Sequence, residues 1–362
     1  MLNGGWHSMR FFSDDIRDRV REDALAMEKR GDLAPDILEY IYDQGLFKLL
    51  VPEQFGGIMT TLPRATEIYE EASYMEGNFG WLIGICSGGG FITKLFPEHV
   101  YREKFTNREA VISGSGYPSG TARAVNGGYV VNGEWKFCSG SSFATLFTVN
   151  AMIEHGDGKD AEMRTFVFER DQVELVGDWN ATGMKATNSQ TIQVREAFVP
   201  EDRALLFDMS ATLYEEPFYT YPFMQFAKVQ FAAVALGISR HFLEECKALA
   251  ETHKQEWDKG EKYSFILEKV HQAEENLEKA RNQFYEVVHF SWNAHVNGEY
   301  FSEEQLSEIS IVCEDAAAES LRAAQSVFPY LGITAVLEDN LVNKTWRDLQ
   351  TACQHGLILS FR

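Results

Sequence analysis

At 362 residues the chain is too long for one small core and suits two or three packed units. With 45% apolar and 24% charged residues, its composition is that of an ordinary globular protein. The formal net charge is −21, from 33 basic and 54 acidic residues, which excludes nucleic acid and anionic membrane as general partners because both would be repelled. A phosphate-bearing ligand needs a local basic or backbone N–H site that outweighs this field.

The five cysteines, Cys86, Cys138, Cys246, Cys313 and Cys353, are odd in number and lack CxxC or CxxH spacing. They read as free thiols in a reducing cytoplasm, and no metal site is expected. The N-terminus has no secretory hydrophobic region. No run approaches about 18 apolar residues, so no membrane span is expected.

The first part of the chain reads as helix. Ser13 is placed to cap a run over Asp14–Arg30, with Asp14 and Asp15 at the favourable end of the dipole. Pro35 fits the first turn of a second helix over 36–44, which Gly45 ends. A third helix is predicted over Leu62–Met75. Residues 78–95, with WLIGICSGGGF, read as a buried central helix under close backbone contact. From Ala110 to Pro200 the helical period gives way to short alternating runs between turns, the pattern of an all-β unit. In its clearest strand Tyr129, Val131, Trp135 and Phe137 point one way, and Asn132, Glu134 and Lys136 point to water. Other strands are expected over 165–168, 172–176 and 191–199. From about Tyr221 the helical period returns. Phe226, Val229, Ala233 and Leu236 form one apolar stripe, and Val270, Ala273, Leu277, Ala280, Phe284 and Val287 another, as antiparallel bundle packing requires. Further helices are predicted over Glu303–Val327 and 339–359.

Three segments give this order of units a family likeness. They are GGYVVNGEWKFCSG at 127–140, ATGMKATNSQTIQVREAFVPEDR at 181–203 and WRDLQTACQHG at 346–356. In this order and spacing the chain resembles the acyl-CoA dehydrogenase superfamily over almost its whole length. The resemblance implies an α+β fold of three parts: an N-terminal α-helical domain over 1–108, a middle β-barrel domain over 109–207, and a C-terminal four-helix bundle over 208–362. It also implies a flavin between barrel and bundle, and a homotetramer.

An isoalloxazine ring needs a flat apolar wall and hydrogen-bonding partners along its edge. Phe137 and Ser139, two apart on a strand, share a face and suit that role, and they match the family's aromatic and Ser/Thr flavin contacts. Ser113, Ser115 and Gly116 fall where a neighbouring strand supplies further contacts. Read without the resemblance, the same residues are a strand end with Ser-Gly turn chemistry and a core Phe.

A dehydrogenase of this family removes an α-proton with a glutamate. Here the two positions for that base hold Gly356 and Ala227. Gln354–His355 after RDLQTAC instead resembles the two-component flavin monooxygenase branch, whose members receive reduced flavin from a separate reductase. There His355 would be the catalytic imidazole, with a pKa near neutrality suited to accepting a phenol proton. Alternatively it is an ordinary capping imidazole near a chain end. Phe143 departs from the branch, many of whose members have a histidine there.

The resemblance implies FAD or FMN as the cofactor. The FAD diphosphate motifs look weakened: ETHKQEWDKG lacks the arginine, with His253 and Lys254 as substitutes, and AQSVFPYLG keeps Gln325 but has Phe328 and Pro329 in place of a Gly-Gly pair. The expected function is therefore a reduced-flavin-dependent monooxygenase acting on a small-molecule substrate. The alternatives are an acyl-CoA dehydrogenase with an unidentified base and a scaffold that has lost flavin. The aromatic-rich stretch 214–226 reads as the bundle entrance, able to accept an aromatic or a fatty chain, Glu70–Glu71 as a solvated face and Arg240 as an exposed helix residue.

Overall fold

The computed structural model describes residues 11–154, 162–206, 208, 211–257 and 261–359. Five helices come first: α1 (Asp14–Arg30), α2 (Pro35–Asp43), α3 (Leu62–Met75), α4 (Gly77–Gly88) and α5 (Glu98–Phe105). Seven strands follow: β1 (Ile112–Val125), β2 (Gly128–Cys138), β3 (Leu146–Ile153), β4 (Glu162–Glu169), β5 (Glu174–Leu175), β6 (Gln190–Pro200) and β7 (Ala204–Leu206). The chain ends in α6 (Pro217–Thr220), α7 (Phe223–Thr252), α8 (Lys254–Trp257), α9 (Lys262–Val296), α10 (Glu303–Val327) and α11 (Leu341–Ala352).

The predicted helices hold where the apolar period is clean. Ser13 occupies the N-cap of α1, but its side chain makes no cap bond. The glycine-rich segment departs from expectation. Its α-helix stops at Gly88 and continues as a 3-10 stretch over Gly89–Leu95, because three consecutive glycines do not support α propagation. The close backbone contact is seen at Gly80, where a Cβ would run into Ser73 Cα of α3.

The strands form one seven-stranded sheet in the order β5-β6-β2-β1-β3-β4-β7. Among the described residues β5 and β7 are its edges. Asn126 and Gly127 make the β1–β2 hairpin turn, with Val125 opposite Gly128 and Gly127 at φ +81°. Trp135, Val131, Phe147, Val149, Phe166 and Phe168 fill the inner face. β1 runs parallel to β3, and its register slips between Ser115 and Gly120.

The long helix α7 is the hub, packing against α3, α4, α9, α10 and α11. Its stripe Phe226, Val229, Ala233 and Leu236 is buried. One apolar core runs through the N-terminal helices and the bundle, while the sheet keeps a core of its own. Within the aromatic-rich stretch, Phe218, Tyr221 and Phe226 belong to the first of these. Phe218, Tyr219, Tyr221 and Phe226 are each no more than 1% exposed, and Phe91 stacks on Phe226 at 5.5 Å. Glu70 is likewise buried, taking Arg281 Nε at 2.7 Å, Arg240 Nη1 at 2.5 Å and the Tyr285 hydroxyl at 2.6 Å. Glu71 accepts from Phe11 N and Arg17 Nη2. The carboxylates and Arg240 thus tie helices together instead of facing water. No helix among the described residues is long and apolar enough to cross a membrane.

Candidate active site

The site is assembled from the first turns of α4, the end of β2, the loop before β6, and the turn after α11. A buried ionic cluster fixes three of these. Glu76 caps α4 by accepting from Phe79 N at 2.8 Å. Lys344 of α11 bonds Glu76, and donates to Asp348 Oδ2 at 2.6 Å. Asp348 Oδ1 accepts from Met184 N at 2.5 Å, and Asn78 Nδ2 donates to Glu76 Oε1 at 2.8 Å. Burial alone would lower Lys344, but Asp348 and Glu76 hold its ammonium above the ordinary lysine range. Two carboxylates share one cation. Burial, reinforced by Glu76, pushes the Asp348 carboxyl up against the pull of Lys344, while Lys344 overcomes burial and holds Glu76 below the usual range. Arg347 turns away from its neighbour Asp348. It pairs bidentately with Glu28 of α1, with Nη2 to Oε2 at 3.0 Å, and donates to Thr182 O at 2.5 Å.

Trp81 opens the second turn of α4, just beyond that cap. Its Nε1–H donates to Ser139 Oγ at 3.0 Å. Ser139 Oγ lies 2.7 Å from Ser189 Oγ, and Ser189 Oγ 2.7 Å from Thr187 Oγ1. Thr187 Oγ1 donates to Met184 O at 2.7 Å, a carbonyl that also accepts Trp179 Nε1–H at 3.0 Å. Ser113 Oγ donates to Ser139 O at 2.8 Å.

His355 lies in the turn after α11. Its imidazole stacks on Phe231 of α7, with centroids 3.8 Å apart and planes at 26°, and meets the Trp81 ring edge-on at 6.2 Å. Leu357 N donates to Nδ1 at 3.4 Å. Burial pushes the imidazole down to about 4, so it is neutral at pH 7 and not poised near neutrality as expected. Phe143, at the departure from the branch pattern, stacks on Phe47 at 5.4 Å and belongs to the packing.

Ser113, Ser139 and His355 are thus brought together around Trp81. Phe137 is placed differently from expectation. Its φ is +67°, and the β2–β6 register slips between Trp135 and Cys138. The strand alternation therefore breaks, and Phe137 is 69% exposed while Ser139 is buried. The two do not share a face. Phe137 instead meets Trp179 edge-on at 6.3 Å. Ser115 and Gly116 lie at the β1 slip. Gly116 is exposed, nothing approaches within 4 Å of where its Cβ would be, and its carbonyl accepts from Asn150 Nδ2 at 2.8 Å. Sequence reasoning missed Trp81, Phe231, Thr187 and Ser189. The alternation of Thr187 and Ser189 within ATGMKATNSQ was the available signal; for the two aromatic residues there was none, since they look like core.

These residues fit a flavin ring. Phe137 presents an exposed apolar ring and Gly116 an open backbone, while the Ser139 hydroxyl, the Trp81 indole and the His355 imidazole form a cluster of polar groups of the kind a flavin edge uses. The sites for an FAD diphosphate fit less well. His253 stacks on Trp257 at 5.1 Å, Lys254 Nζ lies 3.6 Å from Glu251, and Phe328 stacks on Trp346 at 4.5 Å. All five cysteines are free and buried.

Residues 229–359 match the family model of the acyl-CoA dehydrogenase C-terminal domain. The indole-3-acetate monooxygenase of Pseudomonas putida is 26% identical over 347 residues, covering 95% of this chain and 88% of that protein. HsaA of Mycobacterium tuberculosis, the oxygenase subunit of a flavin-dependent monooxygenase, is 23% identical over 356 residues, covering 95% and 90%. A crystal structure of M. tuberculosis HsaA superposes with a TM-score of 0.86 over 95% of this chain and 93% of that one, at 22% identity. XiaF from Streptomyces sp., solved with FADH2 and glycerol, gives a TM-score of 0.83 at 19% identity over 95% and 91%. The fold is that of the acyl-CoA dehydrogenase-like flavoproteins. Over residues 229–359 the chain is similar to that superfamily's C-terminal domain, and the relatives it matches along nearly their whole length are monooxygenases.

Proposed function

We propose that the chain is the oxygenase component of a reduced-flavin-dependent monooxygenase, supplied by a separate flavin reductase and acting on a small aromatic substrate. The observation that supports this is the meeting of His355, Trp81 and Ser139, which sets a neutral imidazole beside the indole that holds Ser139, in the turn where the resemblance would put a dehydrogenase's carboxylate. Gly356 is exposed and Ala227 carries no acid, so neither family base position offers one.

When bound, reduced flavin would supply the activation of oxygen. Phe137 would give the ring its apolar support, and Ser113, Ser115, Gly116 and Ser139 the polar contacts. Phe231 and Trp81 hold the His355 imidazole in one plane. A neutral imidazole can orient a substrate hydroxyl and accept its proton as that proton leaves. Its low pKa makes it a weak base, so orientation is the larger part of its role. An assembly of four copies is part of this reading, from the family resemblance.

The test is anaerobic titration of the purified protein with reduced FMN and FAD, followed by oxygen and a panel of phenols and indoles with isotopically labelled O2. Label in the product supports the reading. Absence of reduced-flavin binding would rule it out, and bleaching of bound oxidised flavin by an acyl-CoA would favour a dehydrogenase instead.

A further inference from the structure

Helix α7 holds the turn that carries His355 by two side chains spaced one helical turn apart. Phe231 stacks on the imidazole at 3.8 Å. Lys228 precedes it by three residues, which puts both on one face of the helix. Lys228 Nζ donates to Leu357 O at 2.8 Å and to Glu314 Oε1 of α10 at 2.6 Å. Leu357 is also the residue whose N–H reaches His355 Nδ1. A continuous series of contacts therefore runs from α10 through α7 into the turn and ends on the ring: Glu314, Lys228, Leu357, His355.

The turn has little else to hold it beside the ring. α11 ends at Ala352, and the backbone bonds that follow are local: His355 N to Ala352 O at 3.3 Å and Ile358 N to His355 O at 3.1 Å. The buried Ile358 fixes the far side of the turn. The bundle, by contrast, does not depend on the ion pair. Val229 and Ala233 of α7 share one apolar core with Cys313 and Ala317 of α10. The Lys228 and Glu314 side chains are 14% and 13% exposed and have lost most of their water, and apolar residues of that size would serve the packing as well. What the pair adds is direction. Glu314 aims the ammonium, and the ammonium takes the carbonyl that lies beside the ring.

Resting on the reading of His355 given above, we infer that Lys228, aimed by Glu314, is a positioning residue that holds the His355 imidazole on Phe231 and against the edge of Trp81. It reaches His355 only through Leu357, so it is not a catalytic residue.

The test reads the ring directly and then turnover. Diethyl pyrocarbonate acylates a neutral imidazole at its free lone pair, and peptide mass spectrometry gives the rate at His355 alone. At about pH 7.5 the ring is mostly neutral whether held or released, so the rate reports access and not charge. Lys228→Met removes the grip but strands Glu314. The double variant Lys228→Met with Glu314→Gln removes both charges, which keeps the result readable if the single variant misfolds. Both should raise the rate at His355 by about tenfold or more, the scale of one charge-assisted hydrogen bond. Both should lower kcat for reduced-FMN-dependent incorporation of labelled oxygen into the phenols and indoles by a similar factor. Lys228→Arg keeps a cation able to reach both acceptors and should stay within about threefold of the wild type in both readouts. A role in stability alone would lower the melting temperature and leave the rate at His355 unchanged. An unchanged rate in the two Met variants, folded by circular dichroism, overturns the inference and leaves the proposed function intact. A raised rate with wild-type kcat, or a wild type with no turnover, removes the reading of His355, and the inference falls with it.

Discussion

Trp81 Nε1 donates to Ser139 Oγ across 3.0 Å, while the same indole meets the His355 ring at 6.2 Å. One side chain of the N-terminal helices thus registers a residue of the sheet against a residue beyond the last helix. Trp81→Phe keeps a ring for His355 and removes the N–H. We expect a loss of about tenfold in kcat/KM and a stability cost of about 1 kcal/mol, the scale of one hydrogen bond. Steady-state kinetics with chemical denaturation checks both.

Replacing His355 should separate chemistry from cofactor binding. His355→Ala removes the imidazole but none of the groups expected to touch flavin. Turnover should fall by about 100-fold or more, as for loss of a proton-transfer group, with reduced-flavin affinity changed by less than about threefold. Comparable losses in the two would place His355 in the flavin site instead.

The half-buried imidazole also makes stability depend on pH. Its folded value, about 4, lies below the ordinary histidine value of 6.5. Between these values the unfolded chain binds the extra proton, so stability falls as pH drops from about 6.5 to about 4, by up to about 1.4 kcal/mol per pH unit. His355→Gln should remove that share of the acid sensitivity. For the same reason no limb near pH 6.5 from His355 is expected in the kcat/KM profile. An NMR titration of the ring that returned a value near 6.5 would contradict both statements.

Phe137 offers a clean test of the wall. At 69% exposure its removal should change stability by less than about 0.5 kcal/mol. Phe137→Ala should nevertheless weaken flavin binding by about tenfold if the ring stacks there, a loss of roughly 1.4 kcal/mol. Fluorescence titration measures the binding and thermal melting the stability.

The Glu76–Lys344–Asp348 cluster predicts an asymmetry. Lys344→Met strands two buried carboxylates and should cost about 3–5 kcal/mol. Asp348→Asn removes the carboxylate already pushed toward neutrality and leaves Lys344 paired with Glu76, so it should cost less. Urea denaturation of the two variants reads the difference directly.

Much of the helical layout was legible because apolar period and end signals agree. Asp14–Arg30, Leu62–Met75 and Glu303–Val327 stand where the sequence puts them. The predicted helix over 339–359 shortens to Leu341–Ala352, and the turn beyond it is what sets His355 against Phe231. Glu70 and Arg240 looked solvated because each is charged and lies on a helix. What reverses that reading is a partner on another helix, which no local pattern carries.

The stretch 127–140 shows the division most sharply. By itself the sequence determined the hairpin turn, the inward Trp135 and the small polar residues at the strand end, because side-chain alternation and glycine turns are local properties. Through spacing shared with a superfamily, it also implied a flavin nearby. Only the tertiary structure decided that Phe137 turns outward while Ser139 turns in, because a left-handed backbone and a register slip depend on the pairing with β6. Only the tertiary structure placed Trp81, Phe231 and His355 together, since their contacts join segments far apart in the chain through packing of the shared helical core.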